Sequence, residues 1–420
     1  MTPARSSQTF RATIRTDNAP LTRIGGSCRA CSPSETIQRL SSHLLQFGIT
    51  RVANITGLDR IGIPVWLAIR PNSRSLSLSQ GKGLTDDGAR ASAICEAIET
   101  FYAERCANPM RIARYEVIRE EARVADVARL PLAKYGLYSD QESIPWVEGV
   151  DLVTGETVWV PYEMVHADAT VPRHPGSGCF VFSSNGLASG NTAGEAAFHG
   201  LCELIERDAL ALWKLQDAGA QKRSRVLNAS VDAPICVDLI RRMDAAEIDV
   251  LIWDATSDLG VPTFRVLIFD RWAHSELASL PVAFGAGCHP ERAVALTRAI
   301  TEAAQSRLTT ISGSRDDLTR RSYARAKMSP EIAAEYAALV REAGERRWES
   351  VPNRPVNSMN DGLTWLLEQL QSAGIEQVCS VPISPEGAPL HVVRTIAAGL
   401  EGPSSSPSWM PGARARRIAA

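Results

Sequence analysis

Apolar residues along the chain follow a recurring order: short alternating or continuous runs, then one long run at helical spacing, three times over. Residues 33–47, PSETIQRLSSHLLQF, set Ile37, Leu40, Leu44 and Leu45 on one face behind Ser34 or a neighbour as N-cap. They predict a helix that Gly48 ends. Strands are predicted at 52–55 and 63–69 around the turn Gly57-Leu58-Asp59-Arg60, and Ser79-Gln80-Gly81-Lys82-Gly83 then leads into a long helix, about 87–105. Apolar runs around Trp146-Val147 and at 158–160 flank Thr154-Gly155-Glu156 and predict a hairpin. A Gly/Ser/Asn-rich loop, 183–191, opens a second long helix, about 193–215. Further strands are predicted at 250–253, 264–269 and near 281–284, before a third long helix, about 290–308. Residues 315–348 read as helical and charged, with 320–327 a solvated helix face, and 401–420 as a mobile tail anchored by Trp409.

The three long helices share a register. SAICEAIET carries Cys95-Glu96 and Glu99; GLCELIERD carries Cys202-Glu203 and Glu206, 107 positions later. Laying Glu302 on Glu203 and Glu96 puts Ala295 on Ala196 and Ala89, with Gln305 where Glu206 and Glu99 stand. Solenoids repeat every ~20–50 residues, so a spacing of roughly a hundred points instead to duplicated strand–helix subdomains in an α+β fold.

Helical residues three apart are neighbours. Glu96 therefore shares a face with Glu99, and Ser92 joins them one turn earlier; Glu203 shares a face with Glu206, with Glu195 two turns upstream. Carboxylates that close repel one another unless a cation neutralises them. An all-oxygen donor set suits a hard ion, and Mg²⁺, which usually arrives with nucleotide phosphates, is the natural candidate. Lys82 in its Gly-rich turn, Asn191 before the second helix, Arg207 beside Glu206 and Arg307 late in the third helix would suit a polyphosphate. For any one pair a solvated acidic face is the plain alternative; recurrence in register argues against it.

Charge and composition narrow the classes. A net charge of −2 over 420 residues lacks the basic excess of an electrostatic nucleic-acid binder. The first twenty residues hold no apolar signal region, and no stretch approaches the ~18 apolar residues of a membrane helix. Nine scattered cysteines suit reduced thiols and a cytoplasmic protein. The lone Cys28-Arg29-Ala30-Cys31 reads as an incidental pair of thiols, and the seven histidines form no ligand cluster in sequence. His199, at the Ser92 position of the second helix, reads as a packing residue. No GxxxxGK[ST] is present, nor a GxGxxG after a strand.

Three longer stretches carry a resemblance. SQGKGLTDDGARASAICEAIE, SSNGLASGNTAGEAAFHGLCELIERDAL and ALTRAITEAAQSRL resemble the signature regions of the YcaO family of ATP-dependent peptide-backbone-modifying enzymes. FGITRVANITGLDRIGIPVWLAIRP and IWDATSDLGVPTF extend the likeness over roughly 25–400, and resemble the branch that works with a TfuA-type partner. The resemblance implies a flexible segment at 1–24, a YcaO domain at 25–400 and a tail at 401–420. It implies a YcaO-type fold of pseudo-repeated strand–helix subdomains around an ATP site that is neither P-loop nor kinase. Glu96, Glu99, Glu195, Glu203 and Glu206 match the family's Mg²⁺-binding carboxylates. Lys82, Ser92, Asn191, Arg207 and Arg307 match its nucleotide contacts, and Arg29 with Thr36 fill the places of a basic residue and a hydroxyl seven positions on.

The implied chemistry is activation of a backbone amide: a nucleophile adds to the carbonyl, the oxyanion attacks the γ-phosphate of ATP, and phosphate leaves. External sulfide gives a thioamide, whereas a Cys, Ser or Thr side chain of a precursor peptide gives an azoline ring. Many azoline-forming members end in a PxPxP tail, while this chain ends ARRIAA and has only about 25 residues before the match. Both features favour thioamidation, with a TfuA-like protein, a separate sulfur donor and a peptide or protein substrate as partners; a homodimer stays open. The reading from a different class is a non-catalytic, nucleotide-binding scaffold.

Overall fold

The computed structural model describes Ile14 and residues 21–136, 138–174, 176–272, 282–320, 323 and 330–419. The segment expected to be flexible at the N-terminus lies, up to residue 20, outside the described residues apart from Ile14. Along the chain come the hairpin β1 (Thr22–Ile24) and β2 (Ser27–Arg29), then helix α1 (Pro33–Ser41). Strands β3 (Arg51–Asn54), β4 (Val65–Ile69) and β5 (Leu78–Lys82) lead into α2 (Asp86–Glu104). Strands β6 (Met110–Arg114), β7 (Ser143–Asp151), β8 (Thr157–Pro161) and β9 (Leu187–Gly190) lead into α3 (Ala193–Leu215). After α4 (Pro234–Ala245), strands β10 (Ile248–Asp254), β11 (Thr263–Asp270) and β12 (Val282–Cys288) lead into α5 (Arg292–Ser312). A helix at Pro330–Arg341, then α6 (Met359–Ser372), β13 (Val378–Pro382), β14 (His391–Ala397) and α7 (Ala413–Ala419) complete it.

Strand–helix units occur three times, as the register implies. Antiparallel sheets β3-β4-β5 and β10-β11-β12 carry α2 and α5, and the six-stranded sheet β6-β7-β13-β14-β9, with β8 on β7, carries α3. In each unit the last strand before the helix is a sheet edge. Those strands need glycine because the helix backbone lies against them. A Cβ on Gly81 would sit 2.0 Å from Ala89 O, and one on Gly287, 206 residues later, 2.1 Å from Ala295 O. Gly190 meets Ala196 N at 2.5 Å as Gly83 meets Ala89 N at 2.6 Å. The alanines of the shared register are thus the helix side of a close backbone contact. Thr85 and Thr192, also in register, cap α2 and α3 by accepting from Gly88 N and Glu195 N.

Five expectations need correction. The helix of 33–47 stops at Ser41: the chain turns so that Phe47 buries edge-on against Phe101 and Tyr102, leaving Leu45 81% exposed. Ser32, not Ser34, is its N-cap, in a capping box with Glu35 and with Pro33 in the first turn. The loop expected at 183–191 contains β9, whose partner β14 lies two hundred residues away, too far for local pattern to report. Residues 314–319 are not helical, and most of the run at 320–327 lies outside the described residues.

The expected mobile tail folds back. Within it α7 packs on α3, Glu401 accepts from Gly412 N and Ala415 N, and Arg414 pairs with Asp208 and Asp258. No described helix is long and apolar enough to cross a membrane.

Candidate active site

Helices α2, α3 and α5 converge with the edges of their sheets on a cleft of about 680 Å³. Glu96 and Glu99 enter it from α2, Glu195, Glu203 and Glu206 from α3, and Glu302 from α5. The carboxylates take up N–H groups that the edge strands leave unpaired. Gln80 N of β5 donates to Glu96 Oε2 (3.1 Å), and Ser189 of β9 donates through N (2.9 Å) and Oγ (2.6 Å) to Glu99 Oε1. Ala286 N of β12 approaches Glu302 Oε1 at 3.4 Å, the Gln80–Glu96 contact repeated two units later.

Cations are unevenly shared among these acids. Lys82 pairs with Glu302, while Arg207 stands 3.5 Å from Glu206 and 3.9 Å from Glu203. Glu96 and Glu99 form no ion pair among the described residues. Glu96 is exposed within the cleft and Glu99 is half-buried. Poor solvation between the surrounding helices and strands nevertheless raises Glu96 to about 7 and Glu99 to about 8, each also pushed up by Glu203. Burial likewise raises Glu203 and Glu206. Burial acts the same way on Glu302, but Lys82 and Arg207 outweigh it and hold that carboxyl below its ordinary value.

Among the expected nucleotide contacts, Arg29, Thr36, Lys82, Ser92, Asn191 and Arg207 all line the cleft. Arg29 Nη1 donates to Glu195 Oε1 (3.0 Å), Ala30 N to Glu195 Oε2 (3.0 Å), and Asn191 Nδ2 adds contacts of 3.4 and 3.2 Å. Thr36 Oγ1 lies 2.9 Å from Asn191 Oδ1. Glu195, expected as a metal ligand, thus has both oxygens engaged by the chain and ties β2 to the start of α3. Arg307 is not in the cleft. It is 5% exposed and sits between Asp59 (2.9 Å) and Asp270 (3.0 Å). Its expected place belongs to Glu302 and Arg298, which line the cleft from the same helix. The register already flagged Glu302; Arg298, in step with Ser92 and His199, was legible by the same alignment. Cys31 borders the cleft and Cys28 does not, and all nine cysteines are free thiols.

No three acidic, imidazole or thiol groups among the described residues close on a common point. Mg²⁺ binds through one or two carboxylates and keeps water and phosphate oxygens as its other ligands. The carboxylates of Glu96 and Glu99, without an ion pair among the described residues, are the donors most in need of such an ion.

A model of the family described as YcaO cyclodehydratase, ATP- and Mg²⁺-binding, matches residues 80–401. The chain belongs to the YcaO family. ATP and Mg²⁺ are that family's cofactors. A relative encoded in the tfuA 3′ region of Rhizobium leguminosarum bv. trifolii is 39% identical over 386 residues, covering 89% of this chain and 88% of its own. Among solved structures, YcaO from Methanopyrus kandleri bound with AMPPCP and Mg²⁺ superposes with a TM-score of 0.70 at 23% identity, covering 91% of this chain and 95% of its own. A heterocyclase in complex with substrate and cofactor gives 0.72 at 20% identity over 93% of this chain; this chain spans 55% of the heterocyclase. At such identities these likenesses show a shared YcaO fold.

Proposed function

We propose that the cleft binds Mg·ATP and that the protein uses it to activate a peptide-backbone amide for sulfur exchange, giving a thioamide. The observation that carries this reading is the convergence of carboxylates from three repeated helices, two of which, Glu96 and Glu99, form no ion pair among the described residues. From among Glu96, Glu99, Glu203, Glu206 and Glu302 would come the one or two carboxylates that each Mg²⁺ takes from the protein, the ion neutralising triphosphate charge when bound. Lys82, Arg207 and Arg298 would face the phosphates. Arg29, Thr36 and Asn191, already joined through Glu195, would fix the wall that β2 and α1 contribute. The site's work is orientation and charge neutralisation, as in other phosphoryl transfers. Amide oxygen is a poor leaving group: HS⁻ first adds to the carbonyl carbon, the resulting oxyanion takes the γ-phosphoryl group as ADP leaves, and the oxygen then departs as phosphate with loss of the S–H proton, leaving the thioamide.

The relative encoded beside tfuA supports a TfuA-like protein as partner, with a separate sulfur donor and a peptide or protein substrate. The family's description as cyclodehydratase favours one further reading, azoline formation by a Cys, Ser or Thr of a precursor peptide. Mass separates the two: sulfur exchange adds to the peptide, ring closure removes water. The test is turnover of ATP with Mg²⁺, sulfide, peptide and a TfuA-like protein. Nucleotide bound without hydrolysis in every such mixture would favour the scaffold.

A further inference from the structure

Helix α5 ends at Gly313, whose φ of +61° makes a left-handed cap, and the chain turns back toward the cleft. Asp316 pins this turn: its carboxylate accepts from Ser77 N (2.7 Å) and Ser77 Oγ (2.9 Å), just before β5. Ser79, Gln80 and Lys82 of β5 line the same cleft, so the contact fixes the turn against the site wall. Arg315 is thereby presented to the cleft. Its guanidinium is forked on Asp317, with Nε–Oδ1 at 2.8 Å and Nη2–Oδ2 at 2.6 Å.

This pairing differs from the others around the site. Lys82, Arg207 and Arg29 are each tied to a carboxylate of the acidic set, and each sits in a strand or helix. Arg315 sits on a loop and is held by a near neighbour in sequence whose side chain is 47% exposed. An exposed ion pair of that kind is weak. A phosphoryl group, which offers two oxygens to the fork, is a stronger bidentate partner for a guanidinium. Arg315 also lies within electrostatic reach of Glu96, which forms no ion pair among the described residues.

We infer that Arg315 is a catalytic residue for the phosphoryl transfer, exchanging Asp317 for the γ-phosphoryl group as that group moves from ADP to the amide oxygen. This rests on the Mg·ATP reading of the cleft. In the step the amide oxyanion forms the new O–P bond, the bond to the β-phosphate breaks, and ADP leaves with the electron pair. Arg315 donates hydrogen bonds to the equatorial oxygens and transfers no proton. Asp316 acts through it, as a positioning residue.

The test compares the full chain with R315A, R315K, D316N and D317N, by calorimetry with two probes: Mg·AMPPCP, and Mg·ADP with aluminium fluoride as a mimic of the phosphoryl group in flight. R315A should bind Mg·AMPPCP within about threefold of the parent, yet lose affinity for the aluminium fluoride complex by more than tenfold and ATP turnover by about 10³-fold. R315K should recover only part of that loss, since a point charge lacks the fork. D316N should fall toward R315A, and D317N should keep both affinities. Equal weakening of both probes in R315A, or no weakening of either, overturns the inference while leaving the Mg·ATP site standing. A parent protein that binds neither probe removes the Mg·ATP reading and this inference with it.

Discussion

Arg414, seven residues from the C-terminus, closes on the carboxylate of Asp208 with contacts of 2.9, 3.2 and 3.0 Å, and Asp208 is wholly buried on α3. Asp208 lies directly after Glu206 and Arg207, so the C-terminal segment grips the helix that carries half the acidic set. A buried ion pair says little about net stability while intact, but breaking one side strands the other charge.

Arg414→Ala should therefore lower unfolding stability by about 3–5 kcal/mol, since Asp208 stays behind without its partner. Denaturant titration should show an earlier midpoint at an unchanged slope. A midpoint equal to that of the parent would mean the tail is loose in solution.

Glu203→Gln keeps shape and removes one negative charge from the cleft. The variant should fold normally and lose Mg·ATP binding by calorimetry. Saturation near 100 times Kd should stabilise the parent by about 2.7 kcal/mol and the variant not at all. Unchanged nucleotide affinity would show that this carboxylate is not a ligand.

Gly81→Ala should be far worse than Gly48→Ala, although only Gly48 has a positive φ, +70°. A Cβ at 48 meets nothing within 4 Å, whereas one at 81 lies 2.0 Å from Ala89 O and 2.1 Å from Ala93 N. The expected losses are about 1–2 kcal/mol for backbone strain at 48 and upwards of about 3 kcal/mol at 81, where α2 must lift from β5. Thermal melts of the two variants decide it; similar melting temperatures would contradict the close strand–helix contact.

His166 provides a pH test away from the acidic set. Burial, aided by His174 and Arg394 and opposed by Asp168, lowers its pKa to about 4. Its ring packs on Tyr162, His174 and Phe182. The unfolded chain protonates this imidazole near 6.5 and the folded chain does not, so the folded state loses stability as pH falls from about 6.5 to about 4. The contribution amounts to about 3 kcal/mol at most. His166→Gln should flatten that part of the stability–pH curve; an unaltered slope would place the titration elsewhere.

Much of the site was written locally. Glu96 with Glu99, and Glu203 with Glu206, follow from helical spacing alone, and all four reach the cleft. Thr85 and Thr192 cap their helices because a short hydroxyl before a helix meets its free N–H groups wherever the fold places it. Arg307 shows where local reasoning ends. It lies five residues beyond Glu302, about 140° further round the same helix, and so faces Asp59 and Asp270 instead of the cleft.

What the sequence alone determined is whatever repeats within a few turns or between units: the register of three helices, the acidic pairs on them, and the alanines at their shared positions. Tertiary structure decided which acids find cations, that Glu195 is occupied by Arg29 and Ala30, that β9 is a strand, and that the tail docks through Arg414. Each of these depends on a partner far away in sequence. Spacing along a chain sets which way a side chain points, but only packing sets what it meets.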